Sequence, residues 1–336
     1  MAGRDEKSES GEDRLIATYF RPIAWHPGAL GLLDDAAVLT PPAGCDLVLT
    51  KDALVAGVHF FADDPPGAIA RKALRVNLSD LAAKGATPVG FLMALALPDG
   101  VTGAWLKAFA EGLGADARTY GCALLGGDTV KTPGPLMVSI TAFGSLPGGT
   151  MVHRSGAKAG DRVFVTGTIG DAALGLKLRR EAEAARRWKL DATMGDHLAG
   201  RYLLPQPRNA LAEALRAHAS AAIDVSDGLA GDLGKLCRAS SVSAEIDAAR
   251  VPLSDAARAA LAAEPALIET ILTGGDDYEI VCTVGEGEAE KFRAAARAAG
   301  VPVADIGRIV AGDGAPRFVG ADRRVLSFAQ ASFSHF

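Results

Sequence analysis

Cysteine is scarce in this 336-residue chain: Cys45, Cys122, Cys237 and Cys282 are widely separated and form no CxxC pair. Such spacing excludes a disulfide framework and a zinc site built on paired thiolates, and predicts reduced, mostly buried thiols. Aromatic residues are few as well, at 6%. Neither sign of charge dominates, since 35 Lys and Arg stand against 40 Asp and Glu for a net charge of −5. No broad basic face is therefore available for nucleic acid. The longest stretch without a charge, Thr132 to Val152, contains Pro133, Pro135, Pro147 and several glycines, so no continuous membrane helix fits there. The glycine turns lack the Gly-Lys-Ser/Thr ending of a Walker loop. The opening MAGRDEKSESGEDR has no apolar signal core, which predicts a disordered lead-in over residues 1–12 and a cytoplasmic protein.

What is present is an ordinary globular composition, 49% hydrophobic and 22% charged, in a chain long enough for two domains. The stretch from Ala70 to Pro88 organises the rest. At helical spacing Leu74, Leu78 and Leu81 form an apolar stripe, Asn77, Asp80 and Lys84 fall on its flank, and Gly85 and Pro88 stop the helix. A carboxylate at a core edge is costly unless paired or bound to metal.

Around this helix, strands are expected at Ala36–Leu39, entered through Asp34 and Asp35, and at Asp46–Thr50, ending in Lys51 and Asp52. Further strands are expected at Val89–Leu97, Cys122–Leu125 running into Gly126, Gly127 and Asp128, and Val138–Phe143. Gly144 to Gly149 reads as the linker, giving an N-terminal domain over 13–149 and a C-terminal domain over 150–336. The second half begins with the loop HRSGAKAGD. It continues with a strand to Thr166, a long helix to about Trp188, a strand carrying Asp224, Ser226 and Asp227, and a strand over Tyr278–Val284 after Gly274, Gly275, Asp276 and Asp277. Strands and helices alternate in both halves, so the fold class is α/β, of the α+β type.

Asp35, Asp52, Asp80, Asp128, Asp224 and Asp227 each adjoin the end of an apolar element beside glycine or a hydroxyl residue. Any one of them is explained as a turn or a cap. If they converge, their repulsion requires cations, and hard oxygens without His or Cys partners select Mg²⁺, which completes its shell with water and phosphate oxygens. The chemistry implied is a nucleotide triphosphate held by several metal ions.

Eight blocks carry a resemblance to a known family. They are DDAAVL (34–39), DALVAGVHF (52–60), KALRVNLSDLAAKGATP (72–88), LLGGDT (124–129), RSGAKAGD (154–161), VTGTIGDAALGL (165–176), DVSDGL (224–229) and GGDDYE (274–279). In this order they resemble the thiamine-monophosphate kinase family of the aminoimidazole-ribonucleotide-synthetase-like (PurM-like) superfamily. The resemblance implies a two-domain PurM-like fold whose N-terminal domain forms a β-barrel across a homodimer, with ATP, Mg²⁺ and thiamine monophosphate as ligands. By the same resemblance Asp35, Asp52, Asp80, Asp128, Asp224 and Asp227 are the metal ligands, helped by Thr50 and Lys51, with Asp80, Asp128 and Asp227 central to catalysis. Tyr120, Gly127, Asp128, Arg154 and Ser226 match positions that contact ATP, and His59, Asp276 and Phe333 match positions around the acceptor. The chain departs from the family pattern at Leu33, where glycine is usual, at Lys51, where threonine is common, and at Asp276, where glutamate is common. Two other readings stand beside this one. A superfamily relative such as selenophosphate synthetase would carry a reactive cysteine in a glycine-rich N-terminal segment, and a magnesium-nucleotide sensor would bind ATP without turnover.

Overall fold

The computed structural model describes residues 11–332. The lead-in over 1–10 and Phe333 lie outside them, and Gly11 and Glu12 open the first helix. The chain divides into two compact units. The first takes the residues up to Ala43, with Leu49–Asn77 and Pro88–Phe143; the second takes Gly44–Val48, Leu78–Thr87 and everything from Gly144 on. Among the described residues no helix is long and apolar enough to cross a membrane.

The N-terminal half contains α1 (Gly11–Leu15), β1 (Cys45–Val55), α2 (Pro66–Ala83), β2 (Thr87–Leu97), α3 (Gly103–Thr119), β3 (Ala123–Lys131) and β4 (Met137–Pro147). Its four strands form one sheet in the order β1-β4-β2-β3. The helix centred on Leu74, Leu78 and Leu81 forms as expected, and Gly85 ends it in a left-handed conformation at φ +71. It is buried on more than a stripe, however: Asn77 and Ser79 are fully buried and Lys72 is 2% exposed. In the first unit α2 meets α3 through glycine, since a Cβ on Gly112 would lie 2.6 Å from the Gly67 Cα. The crossing is locked by Asp116, which accepts from Arg75 Nη2 at 3.0 Å with Arg71 Nε 3.8 Å away.

Three local expectations in this half are corrected. Ala36–Leu39 is not a strand; Val38 N–H instead donates to the Gly28 carbonyl at 2.8 Å, an approach that only glycine at 28 permits. The glycines of 144–149 do not open a linker at once, because β4 continues to Pro147. Nor do β1 and β3 end at their acidic residues: Asp52 and Asp128 both sit inside strands.

The interior placement of Asp128 comes from an irregularity between the parallel strands β2 and β3. Phe91 pairs with Leu124, but Leu92 pairs with Gly126, so Leu125 is an extra residue in β3. One added residue inverts the parity of all that follow. Asp128 consequently lies beside Ala94, where an even register would have set it beside the fully buried Leu95. The close approach also requires glycine at 127, where a Cβ would stand 1.8 Å from the Met93 carbonyl oxygen.

The C-terminal half holds β5 (Arg162–Thr166), α4 (Asp171–Arg180), α5 (Ala184–Arg187), α6 (Ala192–Leu203), α7 (Ala212–His218), β6 (Ala219–Val225), α8 (Leu229–Ser240), β7 (Ser243–Asp247), α9 (Asp255–Ala263), α10 (Leu267–Thr273), β8 (Glu279–Val284), α11 (Ala289–Ala298), β9 (Val303–Val310) and β10 (Arg317–Val319). The helix expected to reach Trp188 breaks after Arg180. The mixed sheet runs β10-β7-β9-β5-β8-β6, parallel at β10–β7 and antiparallel elsewhere. Val163, Val165, Ile223 and Val281 point to one face, under α8 and α10; Phe164, Ala222, Ile280 and Cys282 point to the other, against α7, α11 and Ala82 and Ala83 at the end of α2. Both faces are covered, so the central strands read as continuous apolar runs. Cys122, Cys237 and Cys282 are buried free thiols and Cys45 is half-buried; burial pushes Cys122 up to about 12 and Cys237 to about 11. Each unit mixes helices with strands, as the α/β class expected of the chain requires, and among the described residues neither sheet closes on itself.

Gly127→Ala is expected to lower the free energy of unfolding by about 1–3 kcal/mol, as overpacking against fixed backbone does. Urea melts of the variant beside the parent test this; coincident midpoints would mean that β2 and β3 part there without cost.

Candidate active site

Asp35, Thr50, Lys51, Asp52, His59, Tyr120, Gly127 and Asp128 lie in the first unit, and Asp80, Arg154, Asp224, Ser226, Asp227 and Asp276 in the second. Among the described residues no three His, Cys, Asp or Glu side chains gather as a metal cage.

In the first unit, alternation along β1 sorts its polar residues. Leu49 and Lys51 are exposed, whereas Asp52 points with the buried Leu54 and is half-buried. Lys51 therefore carries its ammonium to the opposite face from Asp52, 3.5 Å from Thr141 Oγ1. The Asp52 carbonyl is held by Ser139 Oγ at 3.2 Å. Asp35 is exposed in a bend after Leu33, which is 75% exposed. His59 is held in place: its Nδ1 accepts from Val55 N–H at 3.0 Å, its N–H donates to the Val55 carbonyl at 3.0 Å, and its carbonyl accepts from Lys72 Nζ at 3.0 Å. The neutral ring consequently carries its proton on Nε2. Tyr120 caps α3, with the Arg75 guanidinium 5.8 Å from its ring centroid.

In the second unit, Asp224 shares the face of Ala222 on β6 and is 6% exposed. Ser79, from the last turns of α2, donates to its Oδ2 at 3.0 Å. The turn that follows is pinned by a residue that sequence reasoning missed. Buried Asp232 accepts from Ser226 N–H at 2.9 Å and Asp227 N–H at 2.8 Å, while Lys235 Nζ bridges Asp232 (2.7 Å) and Asp227 (2.5 Å). An acid in the first turn of a helix after a Ser-Asp-Gly turn is a capping signal, and it was legible in DVSDGLAGD. Gly228 cannot be replaced there, since a Cβ would fall 2.4 Å from the Thr273 carbonyl oxygen.

The GGDDYE loop follows the same turn. Asp276 N–H donates to the Ser226 carbonyl and Tyr278 N–H to the Val225 carbonyl, each at 2.8 Å. Asp276 and Tyr278 both adopt positive φ, +72 and +51. For residues with a Cβ this costs about 1–3 kcal/mol each, which surrounding contacts must offset. Arg154 is exposed in its loop, and its carbonyl accepts from Ser240 Oγ at 3.4 Å.

Lys84 stands at the centre of these charges. Its Nζ donates to the Ala222 carbonyl at 2.7 Å. Burial lowers the ammonium to about 8 from 10.5; Arg154 adds to the fall, and the Asp224 and Asp80 carboxylates oppose it. Between those two pH values the unfolded chain holds a proton that native Lys84 has released. Stability from this group therefore rises with pH across the window, by up to about 1.4 kcal/mol per pH unit. In EDTA-treated protein the unfolding free energy of the parent minus that of Lys84→Met is expected to rise as the pH is raised through that window, and parallel curves would refute the assignment.

Two of the family descriptions that match this chain are AIR synthase related protein, N-terminal domain, over residues 33–146, and AIR synthase related protein, C-terminal domain, over 158–319. A thiamine-monophosphate kinase from Caulobacter vibrioides is 48% identical over 303 residues, covering 89% of this chain and 84% of the relative. The crystal structure of thiamine-monophosphate kinase from Stenotrophomonas maltophilia superposes with a TM-score of 0.80 at 39% identity, covering 91% of this chain and 94% of that one. AaThiL complexed with AMPPCP and TMP superposes with a TM-score of 0.74 at 29% identity, covering 92% and 97%. With identity of this extent spread over both domains, the chain belongs to the thiamine-monophosphate kinase family.

Proposed function

We propose that this chain transfers the γ-phosphoryl group of ATP to the phosphate of thiamine monophosphate, giving ADP and thiamine diphosphate, the last step of thiamine diphosphate biosynthesis. The observation that carries this reading is the likeness to thiamine-monophosphate kinases over nearly the whole chain. The acceptor phosphate, with a second pKa of about 6, is already largely deprotonated at neutral pH. No protein base is needed, and transfer is direct and in line, without a phospho-enzyme. What remains is positioning and charge: two phosphates that repel each other must be held end to end.

The residues divide accordingly. Tyr120, Gly127, Asp128, Arg154 and Ser226 receive ATP, and His59, Asp276 and Phe333 receive the acceptor. Asp35, Asp52, Asp80, Asp128, Asp224 and Asp227, with Thr50 and the backbone of Lys51, are the oxygen donors for Mg²⁺. This donor set suits that ion, which needs only one or two carboxylates beside phosphate oxygens and water. Bound Mg²⁺ supplies neutralisation of the phosphate charge. Arg154 adds a guanidinium for ATP oxygens, and the His59 ring, oriented by the Val55 N–H on its Nδ1, serves the acceptor.

In this reading residues 13–149 form the nucleotide and dimerisation domain, 150–336 form the second domain, and two copies pair through the four-stranded sheet to close a barrel. The exposed Leu49, Leu92 and Val130 support such pairing; Leu92 and Val130 share one face by the β2–β3 register. A cytoplasmic location suits an enzyme drawing on ATP.

Chromatography of nucleotides and thiamine esters after mixing the protein with ATP, Mg²⁺ and thiamine monophosphate tests the reading. Thiamine diphosphate is expected to appear one for one with ADP and to vanish with EDTA; ATP binding without formation of ADP would favour the sensor. Asp80→Asn is expected to lower kcat by about 10²-fold or more while leaving the melting curve in place. His59→Ala is expected to raise KM for thiamine monophosphate about tenfold with KM for ATP unchanged. Equal changes in both constants would remove His59 from the acceptor site.

A further inference from the structure

Behind the GGDDYE loop lies a buried ionic cluster that the proposed reaction does not use. Glu279, fully buried at the start of β8, accepts from Arg201 Nη2 at 2.8 Å, from Arg208 Nε at 2.7 Å and from Thr166 Oγ1 at 2.6 Å. Arg201 also donates to the Asp277 carbonyl at 3.2 Å. The Asp277 side chain, fully buried, accepts Gly170 N–H at 2.6 Å and Ala172 N–H at 3.2 Å, at the head of α4. Gly275 presses on the Ser226 carbonyl so closely that a Cβ would lie 2.4 Å from its oxygen.

The arrangement is more than is needed to hold a core together. Arg201 is 4% exposed, yet its Nε and Nη1 have no acceptor among the described residues. A buried ionic cluster with unmet donors is a poor source of stability, and well-packed apolar side chains would serve as well. What the cluster does supply is direction. It fastens Asp277, which lies between Asp276 and Tyr278, and Glu279, which follows them, and so constrains the two residues with positive φ.

We propose that Arg201, Arg208 and Glu279, with Asp277 at the head of α4, are positioning residues that keep Asp276 in its left-handed conformation and so aim its carboxylate at the acceptor. None of the four touches the reacting atoms. The proposal rests on the assignment of Asp276 to the acceptor in the reading above.

The test is a double-mutant cycle on the full-length protein with Mg²⁺, ATP and thiamine monophosphate. Arg208→Lys keeps a cation but loses the fork, and is expected to raise KM for thiamine monophosphate about tenfold with KM for ATP within about twofold. In an Asp276→Ala background the same substitution is expected to change KM for thiamine monophosphate by less than about twofold, because its target is gone. An equal effect in both backgrounds, or parallel rises in both Michaelis constants, would overturn the proposal and leave the cluster a structural one. If Arg208→Lys does not fold, Asp277→Asn, which keeps the volume, is read through the same cycle. A parent protein that makes no thiamine diphosphate would instead refute the function, an outcome distinct from additivity in an active parent.

Discussion

The two-residue period of a β-strand decides where the acidic side chains of this protein point. Along β1 it sends Lys51 to one face and Asp52 to the other, so a cation adjacent in sequence is not adjacent in space. Along β6 it sets Asp224 on the face of Ala222, within reach of Ser79. In β3 the period alone would have buried Asp128 beside Leu95, and one additional residue reverses the outcome. A carboxylate in an apolar core without donors costs several kcal/mol, so each of these parities bears on whether the fold is possible and whether the site is.

The second unit handles the same difficulty by hydrogen bonding. Asp232 takes two backbone N–H groups, Asp277 takes two more, and Glu279 takes two guanidinium groups and a hydroxyl. Burial still wins for Asp277, whose carboxyl is pushed up to about 8 despite its donors. Each acid is thereby fastened to neighbouring segments by donors whose loss would leave a buried polar group unpaired.

Much of this was legible in the amino-acid sequence. The helix around Leu74, Leu78 and Leu81 declares itself by spacing, and the apolar runs at Val89–Leu97 and Ala221–Val225 by composition. Identity was carried by eight short blocks, most of them at turns, where few residue types satisfy the backbone. Strand ends were misjudged where glycine lies inside a strand: Gly127 and Gly144 each serve a close approach, to β2 and to Ala86 respectively, which periodicity does not reveal. The inserted Leu125 could not be seen either, because a change of pairing register leaves no mark in one strand alone. Arg201 and Arg208 were passed over for a related reason, as their partner Glu279 lies more than seventy positions away.

The thiols have a consequence for the chemistry of the whole molecule. Cys122, Cys237 and Cys282 are sealed in the interior, and burial raises all three above the range in which a thiolate forms at neutral pH. Oxidants and alkylating agents act on the thiolate at an accessible surface. Cys45, half-buried in β1, is then the one sulfur of the four that such reagents can approach while the protein stays folded. A thiol-directed probe would therefore attach at that one cysteine and mark the edge of the four-stranded sheet.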